Sequence, residues 1–190
     1  MAGQVLTPHP SASVIVLRDA EPALSGVEGL EVLLLRRHEK SSFLPSAWVF
    51  PGGMADEADT RDSILHGMRV TAARETREET GLVLDPDSLV WTSRWITPEG
   101  IPKRFDTYFF LGVVEPDAIV TVDGNEIVDS LWITPAGALA RRDLHLVFPT
   151  IKNLQAIAGF ANTDALLASR RDAIIEPVQP VLVNGKPTLP

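Results

Sequence analysis

Arg74-Glu75-Thr76-Arg77-Glu78-Glu79-Thr80-Gly81, downstream of Phe50-Pro51-Gly52-Gly53, is the stretch on which the fold turns. At 3.6 residues per turn, Glu75, Glu78 and Glu79 share one face of a helix. Gly81 stands where a left-handed residue would end it. Arg74 and Glu78 can pair at i,i+4, as on any solvated helix face. Three carboxylates on one stripe nonetheless repel one another, and a hard divalent cation gives them a reason to be there.

The order of features (short strand, Gly-Gly turn, acidic helix, terminal Gly) resembles the Nudix box of pyrophosphohydrolases. Arg74, Glu75, Glu78, Glu79, Gly81 and Leu82 match its second half, and Gly53 matches its opening glycine. Thr76 stands in an apolar slot, and Asp59 falls where the first Glu belongs. Between Asp59 and Arg74 lie fourteen residues, Thr60 to Ala73, where the family pattern has seven. Seven extra residues are about two helical turns, which keeps the following helix in phase. Arg61 to His66, stopped by Gly67, reads as a short inserted helix. The chain is thus similar to a branch with an insertion inside its box, which includes the peroxisomal coenzyme A diphosphatases and bacterial relatives. In the coenzyme A motif before Phe-Pro-Gly-Gly, Arg37 matches, whereas Ser42 and Ser46 stand in slots for Arg and Gly.

The resemblance implies an α/β Nudix fold with a mixed β-sheet between helical layers. Residues 1–190 read as one domain, with a flexible N-terminus (1–10) and an extended C-terminal tail (174–190). Strands are expected at Ser13–Leu17, Glu31–Arg36, Trp48–Phe50, Leu89–Ile96, Tyr108–Val114 and Ile127–Ile133, with a loop over Asp19–Gly29. Helices are expected at Met68–Thr80, Thr134–Arg141, Pro149–Gly159 and Thr163–Asp172. Either Pro149 or Thr150 opens the third, and Asn162 or Thr163 caps the fourth. Asn184-Gly185 signals a tight hairpin.

Composition fits a soluble enzyme. No apolar run has membrane length, and the first ten residues lack the pattern of a signal peptide. The absence of cysteine excludes disulfide and thiol chemistry and suits the cytoplasm. A net charge of −8 argues against nucleic acid as partner. His9, His38, His66 and His145 share no ligand spacing, which argues against zinc.

Pyrophosphate hydrolysis places charge on phosphoryl oxygens, and divalent ions neutralise it while activating water. The expected metal, Mg²⁺ or Mn²⁺, falls to Glu78 and Glu79 first, with Glu75 completing the set. The family implies the Gly52 carbonyl as a further ligand. Arg74 is expected to orient a carboxylate, and Asp59 to support the set from outside. Among the later carboxylates Glu99, Asp106, Asp123 and Glu126, the last is favoured as base or extra ligand. Arg37, Lys103 and Arg104 are the candidate substrate contacts. Trp48, Trp95 and Trp132 suit either base stacking or the core.

The expected partner is a small nucleotide-derived molecule, with homodimerisation admitted. Coenzyme A or an acyl derivative leads. ADP-ribose, NADH or another nucleoside diphosphate derivative is the alternative within the class, and a non-catalytic nucleotide-binding domain the alternative outside it.

Overall fold

Strand β1 (His9–Asp19) is buried on both faces from Ser11 to Leu17, as a central strand must be. The computed structural model describes residues 6–20, 29–59 and 63–189. From His9 opposite Phe105 to Leu17 opposite Val113, β1 pairs in parallel with the whole of β6 (Phe105–Val113). Its other edge is shared. The end of β1 meets β2 (Leu30–Arg37) antiparallel over only Leu17–Asp19, and its beginning meets β4 (Gly52–Met54) over Ser11–Ser13. Strand β3 (Trp48–Val49) pairs with the far end of β2. The segment 48–54 therefore fills the gap where β1 and β2 diverge, one strand serving each side.

Strand β7 (Ile127–Ile133) adds to the outer edge of β2, and β5 (Val90–Ile96) lies antiparallel beside β6. The short β8 (Pro177–Val178) runs parallel to β5. Strands β9 (Val181–Val183) and β10 (Lys186–Thr188) form a separate hairpin. Its turn, Asn184-Gly185, has positive φ at both residues, 51° and 74°, as the Asn-Gly signal requires.

Alternation along the central strands loads both faces of this mixed sheet. Val14, Val16, Leu33, Leu35 and Phe110 pack with Met68, Ala72 and Ala73 of α1 (Ile64–Thr80). Ile15, Leu17, Val32, Leu34 and Leu111 face the opposite layer. That layer comprises α2 (Pro135–Ala140), α3 (Phe148–Ile157) and α4 (Thr163–Arg170), contributing Ala138, Leu154, Ile157 and Leu166. The α/β class with a mixed sheet between helical layers is as expected.

Helix α1 differs from expectation at its start. Gly67 does not stop a short helix; it lies buried inside α1, its N–H bonded to the Ser63 carbonyl at 2.8 Å. Glycine inside a helix costs about 1 kcal/mol relative to alanine. Burying Met68 and Ala72 against the sheet outweighs that. Thr60 to Asp62, the beginning of the expected insertion, lie outside the described residues. At the other end Gly81 has φ 73° and donates to the Arg77 carbonyl, ending the helix as its position predicts. Thr76 fits its apolar slot because its hydroxyl donates to the Ala72 carbonyl at 2.8 Å, leaving the methyl to pack.

Smaller shifts occur elsewhere. Helix α3 opens one residue early at Phe148, and Asn162 is the residue that caps α4. Part of each expected terminal tail is paired: His9 and Pro10 within β1, and residues 177–188 in β8 to β10. Residues 1–5, and 21–28 of the expected loop, lie outside the described residues.

Gly52 sits where the sheet divides, with φ 155°. A Cβ there would lie 2.3 Å from the Ala12 carbonyl oxygen and 2.7 Å from Ser13 Cα, both backbone atoms that cannot rotate away. Gly52→Ala should destabilise the protein by roughly 2–3 kcal/mol or more, read as a lower calorimetric midpoint. An unchanged midpoint would show that β1 and β4 can part freely.

Candidate functional site

The turn linking β3 to β4 meets the last two turns of α1. Pro51 is held by β1, its carbonyl accepting from Val14 N–H at 2.9 Å and from the Ser13 hydroxyl at 2.7 Å. This aims the Gly52 N–H at Glu79, whose Oε2 accepts it at 2.9 Å. Glu79 is only 8% exposed. Burial pushes its carboxyl up to about 8. The Gly52 N–H and the charge of Arg37 oppose that shift, while Glu75 and Glu126 reinforce it.

Glu75 lies against Gly53. A Cβ on Gly53 would fall 2.3 Å from Glu75 Oε2, so this glycine leaves room for the carboxylate. Burial raises the Glu75 carboxyl, and Arg74 pulls it back through a 2.7 Å bond from Nη1 to Oε1. The same Nη1 lies 3.3 Å from Glu78 Oε2, and Nη2 donates to the Met54 carbonyl at 3.3 Å. Arg74 also stands 3.6 Å from Asp59, which accepts from the Thr71 hydroxyl at 2.9 Å. Asp59 is thus joined to α1 despite the extra residues between them.

Glu75, Glu79, Gly52 and Gly53 line a cleft of about 630 Å³, together with Arg37, Lys103 and Glu126. Arg37 is held between the Phe43 carbonyl, 3.1 Å from Nε, and Glu126 Oε1, 2.6 Å from Nη2. A candidate cation and the favoured late carboxylate are therefore ion-paired at the cleft. Lys103 lies over the rings of Phe43 and Phe105, at 5.8 and 5.3 Å from their centroids. Glu78 does not line the cleft; its side chain is 58% exposed and turned to Arg74.

Arg104 requires a correction. It is 4% exposed, donating from Nε to the Thr97 carbonyl at 3.0 Å and from Nη1 to the Leu6 carbonyl at 2.7 Å. It fastens the segment before β1 to the turn before β6 and has no part in the cleft lining. The other late carboxylates are also committed or remote. Asp106 pairs with Arg94, Asp123 caps its own turn through the amides of Asn125, Glu126 and Ile127, and Glu99 is exposed at a turn. Of the tryptophans, Trp95 lines the cleft, edge-on to Phe148 at 6.0 Å, while Arg18 stacks on Trp132.

Sequence reasoning missed Phe43, Phe105, Phe148 and Leu182 as cleft residues. The Asn-Gly signal disclosed the hairpin bearing Leu182, but nothing local says where a hairpin docks.

The donors present suit a hard divalent cation: carboxylate oxygens of Glu75 and Glu79 gathered at a glycine turn, both carboxyls raised by burial, with the charge of Glu126 adding to each. Among the described residues, no three His, Cys, Asp or Glu side chains stand together as a ready metal cluster. Arg74 draws Glu78 and Glu75 sideways, and Glu79 is turned to the Gly52 amide. Among the same residues no helix is long and apolar enough to cross a membrane.

The family model described as NUDIX domain matches residues 7–152. A solved Nudix hydrolase from Alicyclobacillus acidocaldarius is 26% identical, with TM-score 0.74, the match covering 88% of this chain and 99% of that one. The acyl-coenzyme A diphosphatase NUDT19 of Xenopus laevis is 25% identical, over 72% of this chain and 62% of that protein. A Caenorhabditis elegans protein bearing the nudix hydrolase name is 26% identical, over 55% of this chain and 46% of that protein. The chain thus spans about half to three-fifths of the length of these two curated relatives.

Two outcomes follow from the geometry. Because Glu79 is penalised when charged, its protonated form supports the fold fully below about 4.5, and that support is lost as pH rises to about 8. In metal-free protein the thermal midpoint should fall between pH 5 and 8 by more than in Glu79→Gln, which cannot ionise. Parallel pH profiles would rule out Glu79 as the titrating group. Arg104→Ala should cost roughly 1.5–3 kcal/mol in stability while leaving KM for any cleft ligand within about twofold. A large rise in KM at unchanged stability would return Arg104 to the binding surface.

Proposed function

This chain belongs to the NUDIX family, and we propose that it is a divalent-cation-dependent enzyme hydrolysing a diphosphate linkage in a nucleotide-derived small molecule. The observation that carries this reading is the meeting of Glu75 and Glu79 with the Gly52-Gly53 turn, in a cleft that also holds Arg37 and Lys103. Glu79, Glu75 and the Gly52 carbonyl would hold the ion, Mg²⁺ or Mn²⁺, with Glu78 joining once released from Arg74. Bound there, the ion would offset charge on the phosphoryl oxygens and favour ionisation of water at neutral pH.

The chain's own groups do the rest. To hold the cation, Glu79 would have to be ionised. Arg74 keeps Glu75 oriented toward Gly53. Arg37 and Lys103 offer positive charge to the diphosphate in an otherwise acidic protein. Glu126, 59% exposed and paired with Arg37, takes the proton of the attacking water. When a phosphate draws Arg37 away, that carboxylate is left free to act.

Coenzyme A or an acyl-coenzyme A is the substrate we favour, giving a phosphopantetheine product and adenosine 3′,5′-bisphosphate. The name of the Xenopus laevis relative and the match of Arg37 support it. The long α1 supports membership of the branch with an insertion in its box. ADP-ribose and NADH are the competing substrates.

A panel of these compounds with Mg²⁺ or Mn²⁺, scored by product mass, tests substrate and reaction together. On the best substrate Glu79→Gln should lower turnover at least about a hundredfold with the fold intact, a loss of roughly 3 kcal/mol or more. Near wild-type turnover in Glu79→Gln would place the reaction elsewhere. Preference for ADP-ribose or NADH would overturn the coenzyme A assignment and leave the reaction class standing.

A further inference from the structure

The cleft is completed by residues beyond the family match, which ends at residue 152. Among the described residues the β9–β10 hairpin pairs with no other strand, and β8 tethers it to β5. Even so, Pro180, Leu182 and Pro187 line the same cleft as Glu75 and Glu79. Leu182 packs beside the turn at Gly100, where a Cβ would lie 3.7 Å from Leu182 Cδ1. That turn continues through Ile101 to Phe105, whose ring stands 5.0 Å from that of Phe43. No acidic residue occurs from Val181 to Thr188. This part of the cleft is an apolar wall.

Strand register gives the offset of Phe105, at the wall, from the glycine turn. Gly52 pairs with Ser13, whereas Phe105 pairs with His9 on the same strand. Four residues of strand separate the two ends by roughly 13 Å. We propose that the C-terminal hairpin, through Leu182, is the specificity wall of this enzyme, reading an apolar group that the substrate carries away from the cleaved diphosphate. The acyl chain of an acyl-coenzyme A, the substrate favoured above, is such a group. The inference rests on the diphosphatase reading above for where the phosphates lie.

The test compares coenzyme A, acetyl-coenzyme A and octanoyl-coenzyme A with wild type, Leu182→Ala and Leu182→Met. Wild-type kcat/KM should be highest for the octanoyl ester. Leu182→Ala should lower it about tenfold for that ester, the usual effect of removing a Leu side chain from an apolar contact, and much less for coenzyme A. Leu182→Met, which keeps the apolar volume, should restore most of the preference. An equal loss on all three substrates would mean that the hairpin only props the fold, and no loss would mean that it is not read at all; either overturns the proposal. Calorimetric binding of octanoyl-coenzyme A and coenzyme A to the metal-free protein needs no turnover. A Leu182-dependent binding preference without hydrolysis would overturn the diphosphatase reading and uphold the wall. Equal affinity for both ligands would overturn the wall whatever the catalytic result.

Discussion

The hydrogen bond from the Gly52 amide to Glu79 joins the divided sheet to the acidic helix, and the arrangement of the cleft follows from it. It exists because β1 and β2 share only three residue pairs before diverging, so that β3 and β4 can enter between them. Pro51 is clamped by Ser13 and Val14, and Gly52 is pressed so closely on Ala12 that only hydrogen fits. The bond compensates part of the cost of burying a carboxylate. The remainder keeps Glu79 far from its ordinary titration range, a state that positive charge would relieve.

The same geometry shows how an acidic protein can handle an anion. With a net charge of −8, the chain does not attract phosphates by its overall field. Attraction has to be local. Arg37 and Lys103 are the cleft's cations, and each is occupied: Arg37 by Glu126, Lys103 by two aromatic faces. Exchanging such partners for phosphate oxygens costs less than ordering free side chains from solution, because the cations are already positioned.

Legibility in the sequence tracked how local each constraint is. The ending of α1 at Gly81 was readable because a left-handed terminus is a property of a few adjacent residues. So were the Asn184-Gly185 turn and the limits of β7, where turn chemistry and alternation coincide. Gly67 was misread because its local cost is overridden by the packing of Met68 and Ala72, which involves strands distant in sequence. Arg104 was misread because charge and position resembled those of a substrate contact, while its partners, the carbonyls of Leu6 and Thr97, carry no side-chain signature. The carboxylate stripe was legible as a stripe. The i,i+4 spacing disclosed that Arg74 could pair with Glu78, but not that the pair would leave Glu78 outside the cleft lining.

The parallel pairing of β1 with β6 also bears on how the protein is made. The central strand is synthesised ahead of its parallel partner, which lies some hundred residues later, and β2 offers it only three pairs. At ~5–20 residues per second a ribosome needs seconds to supply that partner. Closing so long a loop is entropically slow, and Val14, Ile15 and Val16, which neither β2 nor β4 pairs, must wait without a strand partner. The buried centre that makes the finished sheet stable is therefore the segment of the nascent chain most exposed to wrong partners, and most in need of shelter until Phe105–Val113 arrives.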